Sequence, residues 1–71
     1  MIVTGIGSLS HYSTTINLQQ PITVANLPEL MKIHESLYEH IIAVKGRKVL
    51  SLDEMLHDSD EIKIFISVSG G

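Results

Sequence analysis

An α+β roll, with one main helix packed across one face of a mixed sheet of four to five strands, is the fold class this sequence predicts. Three observations carry that expectation. Ile62, Ile64, Ile66 and Val68 share one parity while Glu61, Lys63, Phe65 and Ser67 take the other, which is the period-2 signature of a half-buried strand. Leu27, Leu30, Met31, His34 and Leu37 recur at helical spacing behind a start signal. Short β-rich runs flank this helix on both sides in the order strand, strand, helix, strand, short strand, strand, which suits one helix on one sheet.

Met1 to Gly7 is apolar and β-rich enough for the first strand, and Gly7-Ser-Leu-Ser-His11 supplies turn residues after it. Tyr12 to Leu18 alternates again, with Tyr12, Thr14, Ile16 and Leu18 on one parity, and reads as a second strand completing a hairpin. Pro21 ends the pattern because it cannot donate to a sheet ladder. The helix is expected to start at Asn26, with Pro28 in its first turn and Glu29 three residues after the cap, where it can reach back in a capping box. A competing start at Thr23 would add Val24 to the stripe but leave Pro28 where its missing N–H is felt.

Ile41-Ile42-Ala43-Val44 is short and largely β-branched, as expected for a strand covered on both faces, and Lys45-Gly46 turns it into Lys48-Val49-Leu50. Leu52, Met55 and Leu56 stand at helical spacing, so Ser51 to His57 reads as a single helical turn capped by Ser51 with Glu54 three residues on. Asp58-Ser59-Asp60 is a turn into the last strand.

At 71 residues the chain supports one domain and one small core, which leaves no room for a large enclosed active site. It contains no cysteine, so disulfides, thiolate metal ligands and cysteine nucleophiles are excluded together. Net charge is −3, and Lys32, Lys45, Arg47, Lys48 and Lys63 are too scattered for a phosphate-binding stripe, which argues against a nucleic-acid partner. No apolar run approaches the roughly 20 residues that span a bilayer and no signal-peptide pattern is present, so a cytoplasmic protein with no membrane partner is expected. Nothing before Glu29 is charged, whereas Asp53, Glu54, Asp58, Asp60 and Glu61 concentrate acidity late in the chain; that stretch reads either as a solvated loop or as a surface for a basic partner. His11, His34, His40 and His57 show no i, i+4 pairing, and no metal site is expected. Gly5-x-Gly7 lacks the third glycine of a dinucleotide fingerprint, and no phosphate loop or nucleophile elbow occurs. Independent catalysis is not expected, and the chain is read as a non-enzyme.

The element order, the Asp58-Ser59-Asp60-Glu61-Ile62 lead into the last strand, the Ile42-Ala43-Val44-Lys45-Gly46 strand and turn, and the closing Phe65-Ile66-Ser67-Val68-Ser69-Gly70-Gly71 together resemble the ThiS/MoaD family of ubiquitin-like sulfur carriers. The resemblance spans essentially the whole chain. Two positions depart from the family pattern: Ser59 stands where a glycine is usual, and Ile66-Ser67 stands where the molybdopterin branch often has Pro-Pro. The Ser59 departure requires a turn without positive φ there.

The resemblance implies a β-grasp domain over residues 1–68 and a flexible Ser-Gly-Gly tail over 69–71. Gly71 would be adenylated and converted to a thiocarboxylate, with Gly70 and Ser69 completing the tail. Lacking Cβ, the two glycines could follow a narrow channel and adopt whatever φ a partner's site requires. Phe65, Ser67 and Val68 would form the partner contact at its root; Phe65 lies on the parity opposite the core-facing isoleucines and is expected either as an exposed anchor or as a residue buried beneath a loop or on the second sheet face. No cofactor is expected on the chain itself. ATP and Mg²⁺ would belong to a ubiquitin-activating-type adenylating enzyme (ThiF/MoeB-like). The sulfur would pass to a thiazole synthase or the large subunit of molybdopterin synthase, and the free carrier is expected to be a monomer. Two alternatives are a ubiquitin-like modifier conjugated through Gly70-Gly71 and a non-catalytic interaction module.

Overall fold

The computed structural model describes residues 1–67. Strands β1 (Ile2–Gly5), β2 (Thr14–Thr15), β4 (Ile41–Lys45), β5 (Lys48–Val49) and β7 (Glu61–Ile66) form a mixed five-stranded sheet in the order β2-β1-β7-β4-β5. A separate two-stranded ribbon joins β3 (Ile22–Thr23) to β6 (Met55–Leu56). Within the large sheet β1 and β7 are parallel, and the other pairs are antiparallel.

Parity decides which face is inner. Val3 pairs with Ile62, Gly5 with Ile64, and Ile64 with Ala43, so these side chains share the face that carries the helical segments. Val3, Leu9, Leu27, Leu56, Ile62 and Ile64 are the largest fully buried side chains. Each contributes about 1.5–3 kcal/mol by leaving water, and together they fix the register, because a one-residue slip of β7 would turn Ile62 and Ile64 outward.

The expected first hairpin is shorter than its alternation implies. After β1 the backbone turns at Gly7 (φ +59°) into a 3-10 segment, Gly7–Tyr12, that drops Leu9 into the core. A Cβ on Gly5 would lie 1.8 Å from the Leu9 carbonyl oxygen, so the segment crosses the inner face at a distance only glycine permits. The Ser13 hydroxyl then accepts the Gly5 N–H at 3.0 Å and donates to the Ser10 carbonyl at 2.9 Å. Only Thr14–Thr15 remains as strand, although Tyr12, Ile16 and Leu18 do pack on the core as their parity requires.

The main helix is likewise cut short. A 3-10 turn at Val24–Asn26 leads into α1 (Leu27–Leu30), a single turn with Pro28 near its start and no side-chain cap bond, so the Glu29 capping box does not form. Its end has the bonds of a Schellman motif: the Ile33 N–H donates to the Pro28 carbonyl and the Lys32 N–H to the Glu29 carbonyl, both at 3.0 Å. Lys32 takes the left-handed position (φ 59°) usually given to glycine. The chain resumes as a 3-10 segment, Glu35–His40, where the His34 side chain accepts the Ser36 N–H. In consequence Leu27 is buried, but Leu30 and His34 of the expected stripe are exposed.

Gly46 (φ +63°) opens the two-residue loop between Lys45 and Lys48, the position a type II′ hairpin reserves for glycine. Ser51 and Glu54 interact as anticipated, with the Glu54 carboxylate accepting the Ser51 N–H at 2.7 Å, but Met55–Leu56 continues as β6 instead of a helical turn. The Val24 N–H donates to the Glu54 carbonyl and the Ala25 N–H to the Leu52 carbonyl, so the 52–56 segment satisfies the backbone of 22–25. No helix among the described residues is long and apolar enough to cross a membrane.

Candidate functional site

β7 lies at the centre of the five-stranded sheet, clasped by β1 on one side and β4 on the other. Its last ladder partner is Ile41 opposite Ile66, and beyond it the Ser67 N–H donates to the His40 carbonyl at 2.6 Å. Any segment leaving Ser67 therefore starts from a fixed point beside His40. Val68, Ser69, Gly70 and Gly71, where most of the expected site falls, lie outside the described residues, as does the 1–68/69–71 boundary. Of the expected partner-contact residues, Ser67 is exposed and Phe65 is half-buried on the sheet's second face, directly opposite Ile42.

Among the described residues no helical segment covers that second face. Across it run Thr15, Ile2 and Glu61 in one row, Thr4, Lys63, Val44 and Val49 in the next, and Phe65 beside Ile42 nearest the end of β7. Ile2 is 47% exposed and Val49 63%. A depression of about 230 Å³ lies on it, lined by Ile2, Thr4, Val44, Glu61 and Lys63 among others. Ile42 and Val44 are thus half-buried members of an outer face, which corrects the expectation that β4 is covered on both sides. Sequence reasoning missed this contribution because a four-residue apolar run shows no alternation. The signal lay in the neighbouring strand, where Glu61 and Lys63 mark the same face as wet.

Of the acidic stretch only Asp60 turns inward. Asp60 is buried; it accepts the Lys45 ammonium at 2.7 Å and the His57 N–H at 2.8 Å. The hydrogen bond from Lys45 holds the Asp60 carboxyl below its ordinary value, and the His57 N–H lowers it further. Glu54 is lowered first by its bond to Lys48 (2.6 Å) and then by the Ser51 N–H. Asp58 is lowered first by the Leu18 N–H (2.8 Å) and then by the amino terminus of Met1, 3.4 Å away. Asp53 in turn accepts the Ser51 hydroxyl at 2.8 Å, so four of the five acids are bound into turns and ion pairs although Asp53 and Asp58 stay exposed, and Glu61 is exposed on the outer face. Ser59 turns without positive φ, as the departure from glycine requires.

Among the described residues no group of three His, Asp or Glu side chains is placed to hold a metal ion. His34 binds Ser36, His57 lies 3.8 Å from Asp60, and His40 lies 3.6 Å from Glu39. No protein-family model and no curated protein matches this chain.

Proposed function

We propose that this chain is a sulfur carrier of the ThiS/MoaD type, a β-grasp domain whose terminal Gly71 carboxylate is activated and loaded with sulfur by partner enzymes in the cytoplasm. The observation that carries the reading is the position of β7. The strand that leads to Gly70-Gly71 is the central one, parallel to β1, and its exit at Ser67 stands beside the half-buried pair of Phe65 and Ile42 on the sheet's outer face. A carrier needs that combination: a lead anchored firmly in the core, and a surface next to it for an enzyme to grip.

The chemistry follows from the carboxylate. Resonance and charge make it a poor acyl donor, so its oxygen must first attack the α-phosphate of ATP, forming an acyl-adenylate and releasing pyrophosphate. A sulfide or persulfide donor then attacks the acyl carbon and AMP leaves, giving a thiocarboxylate once any S–S bond is reduced by a thiol. ATP, Mg²⁺ and the catalytic groups belong to the adenylating partner. The carrier contributes glycines that pass a narrow channel, and then presents the soft, nucleophilic sulfur to a thiazole- or dithiolene-forming synthase.

Intact-mass measurement tests the proposal. Protein incubated with a ThiF/MoeB-like enzyme, ATP, Mg²⁺ and a sulfide donor is expected to gain the mass of one oxygen-to-sulfur exchange, localised to Gly71 by fragmentation. Deleting Gly71 abolishes the gain. An unchanged mass with active enzymes of both pathways, or a mature protein that does not end at Gly71, would overturn it.

A further inference from the structure

An apolar cavity of about 250 Å³ lies between β4 and the start of α1. Ile41 and Ala43 of β4 form part of its lining with Leu27 and Pro28 of α1, and Leu52, 64% exposed, stands at its lip. Its size is below the roughly 300–1,000 Å³ of a cofactor or metabolite pocket. It matches a single large side chain, the form in which an interface anchor is usually received. Glu39 is the only charged residue among the described residues that line it, and its side chain is 82% exposed.

From the apolar walls and the single carboxylate at the rim we infer that this cavity is a docking site for a partner protein segment that inserts one aromatic or large aliphatic side chain and carries an adjacent Lys or Arg to pair with Glu39. The inference is independent of the tail chemistry and concerns the face opposite Phe65. An anionic segment would meet Glu39 as a like charge, and a segment without an apolar anchor would leave the cavity walls wet.

Amide chemical-shift titration of the full chain with two short peptides, acetyl-Phe-Lys-Lys-amide and acetyl-Phe-Glu-Glu-amide, tests it. The lysine peptide is expected to shift Ala25, Tyr38, Glu39 and Ala43 saturably, and to bind about three- to fivefold more tightly than the glutamate peptide, the size of one exposed ion pair. Glu39→Gln should remove that preference. Ala25→Phe should block both peptides, because Ala25 is exposed at the cavity and its N–H bond to the Leu52 carbonyl survives the change. Equal binding of the two peptides to the unaltered protein, a preference that persists in Glu39→Gln, shifts centred on Ile42 and Phe65, or no shifts at all would each overturn the inference.

Discussion

Lys45 and Asp60 meet at 2.7 Å, joining the end of β4 to the turn that launches β7. Asp60 also accepts the His57 N–H and, through its backbone carbonyl, the Ile2 N–H at 2.9 Å. One residue thus ties β1, β4 and the turn at His57 together at the base of the central strand. Replacing Asp60 by Asn should cost about 1–3 kcal/mol, the range for hydrogen bonds to a buried charged group. Urea unfolding of the two proteins at neutral pH measures it.

The same carboxylate gives the protein an acid limit. Its folded pKa lies below the ordinary 3.8, so the folded state binds this proton less readily than the unfolded chain does. Its contribution is complete above about pH 5 and is lost as pH falls through the folded value. Asp58 and Glu54 are shifted in the same direction and act with the same sign. The urea midpoint should therefore fall on acidification below that pH, and fall less steeply in Asp60→Asn. Parallel acid profiles for the two proteins would show that Asp60 is not part of the cause.

Two glycines separated by one residue should respond differently to the same substitution. At Gly5 a Cβ would stand 1.8 Å from the Leu9 carbonyl oxygen, and since that atom is backbone, the 3-10 segment carrying Leu9 would have to lift off the sheet. Gly5→Ala should cost about 3 kcal/mol or more. Gly7 has open space around its Cβ position but φ +59°, so Gly7→Ala meets only the left-handed backbone penalty of about 1–2 kcal/mol. Equal midpoints for the two variants in urea would contradict this assignment.

Lys32 offers a stabilising change. It is exposed and left-handed at the end of α1, where glycine carries no Cβ penalty. Lys32→Gly removes a strain of about 1–2 kcal/mol and gives back about 0.5–1 kcal/mol in unfolded-chain entropy. A gain of up to about 1.5 kcal/mol is expected, visible as a higher urea midpoint.

Lys32 also explains how far the fold could be read in advance. β7 was legible because Ile62 and Ile64 alternate with Glu61 and Lys63 over a stretch long enough to exclude a helix. The helix stop was not, since no glycine marks it and Met31, His34 and Leu37 continue the helical spacing beyond it. β6 was hidden for a similar reason: Leu52, Met55 and Leu56 have a helical interval, and only the distant backbone of Ile22–Ala25 makes that segment extended. Phe65 was placed correctly on the face opposite the core by its parity, while Ile42, its neighbour there, was concealed in an unbroken apolar run. The cavity beside Glu39 was illegible because its walls come from separate segments, residues 24–28, residues 38–43 and Leu52, that no local pattern brings together.

Phe65 connects this reading to function. It is half-buried, and its direct cross-strand partner is Ile42, so Phe65→Ala should cost about 1–2 kcal/mol, less than the 3–5 typical of a fully buried phenylalanine. If the outer face near Ser67 is where an adenylating enzyme grips, the same change should slow thiocarboxylate formation by about tenfold or more at low carrier concentration, as removal of an interface anchor does. Thr15 is exposed on β2 at the far edge of the same face, and Thr15→Ala should leave the rate within about twofold, as for a peripheral contact. Single-turnover mass spectrometry on folded variants supplies the comparison. A rate lost equally in both would show that the effect is not specific to the end of β7. A rate unchanged in Phe65→Ala would move the grip away from the end of β7, and with it the reason for an apolar side chain on the wet side of that strand.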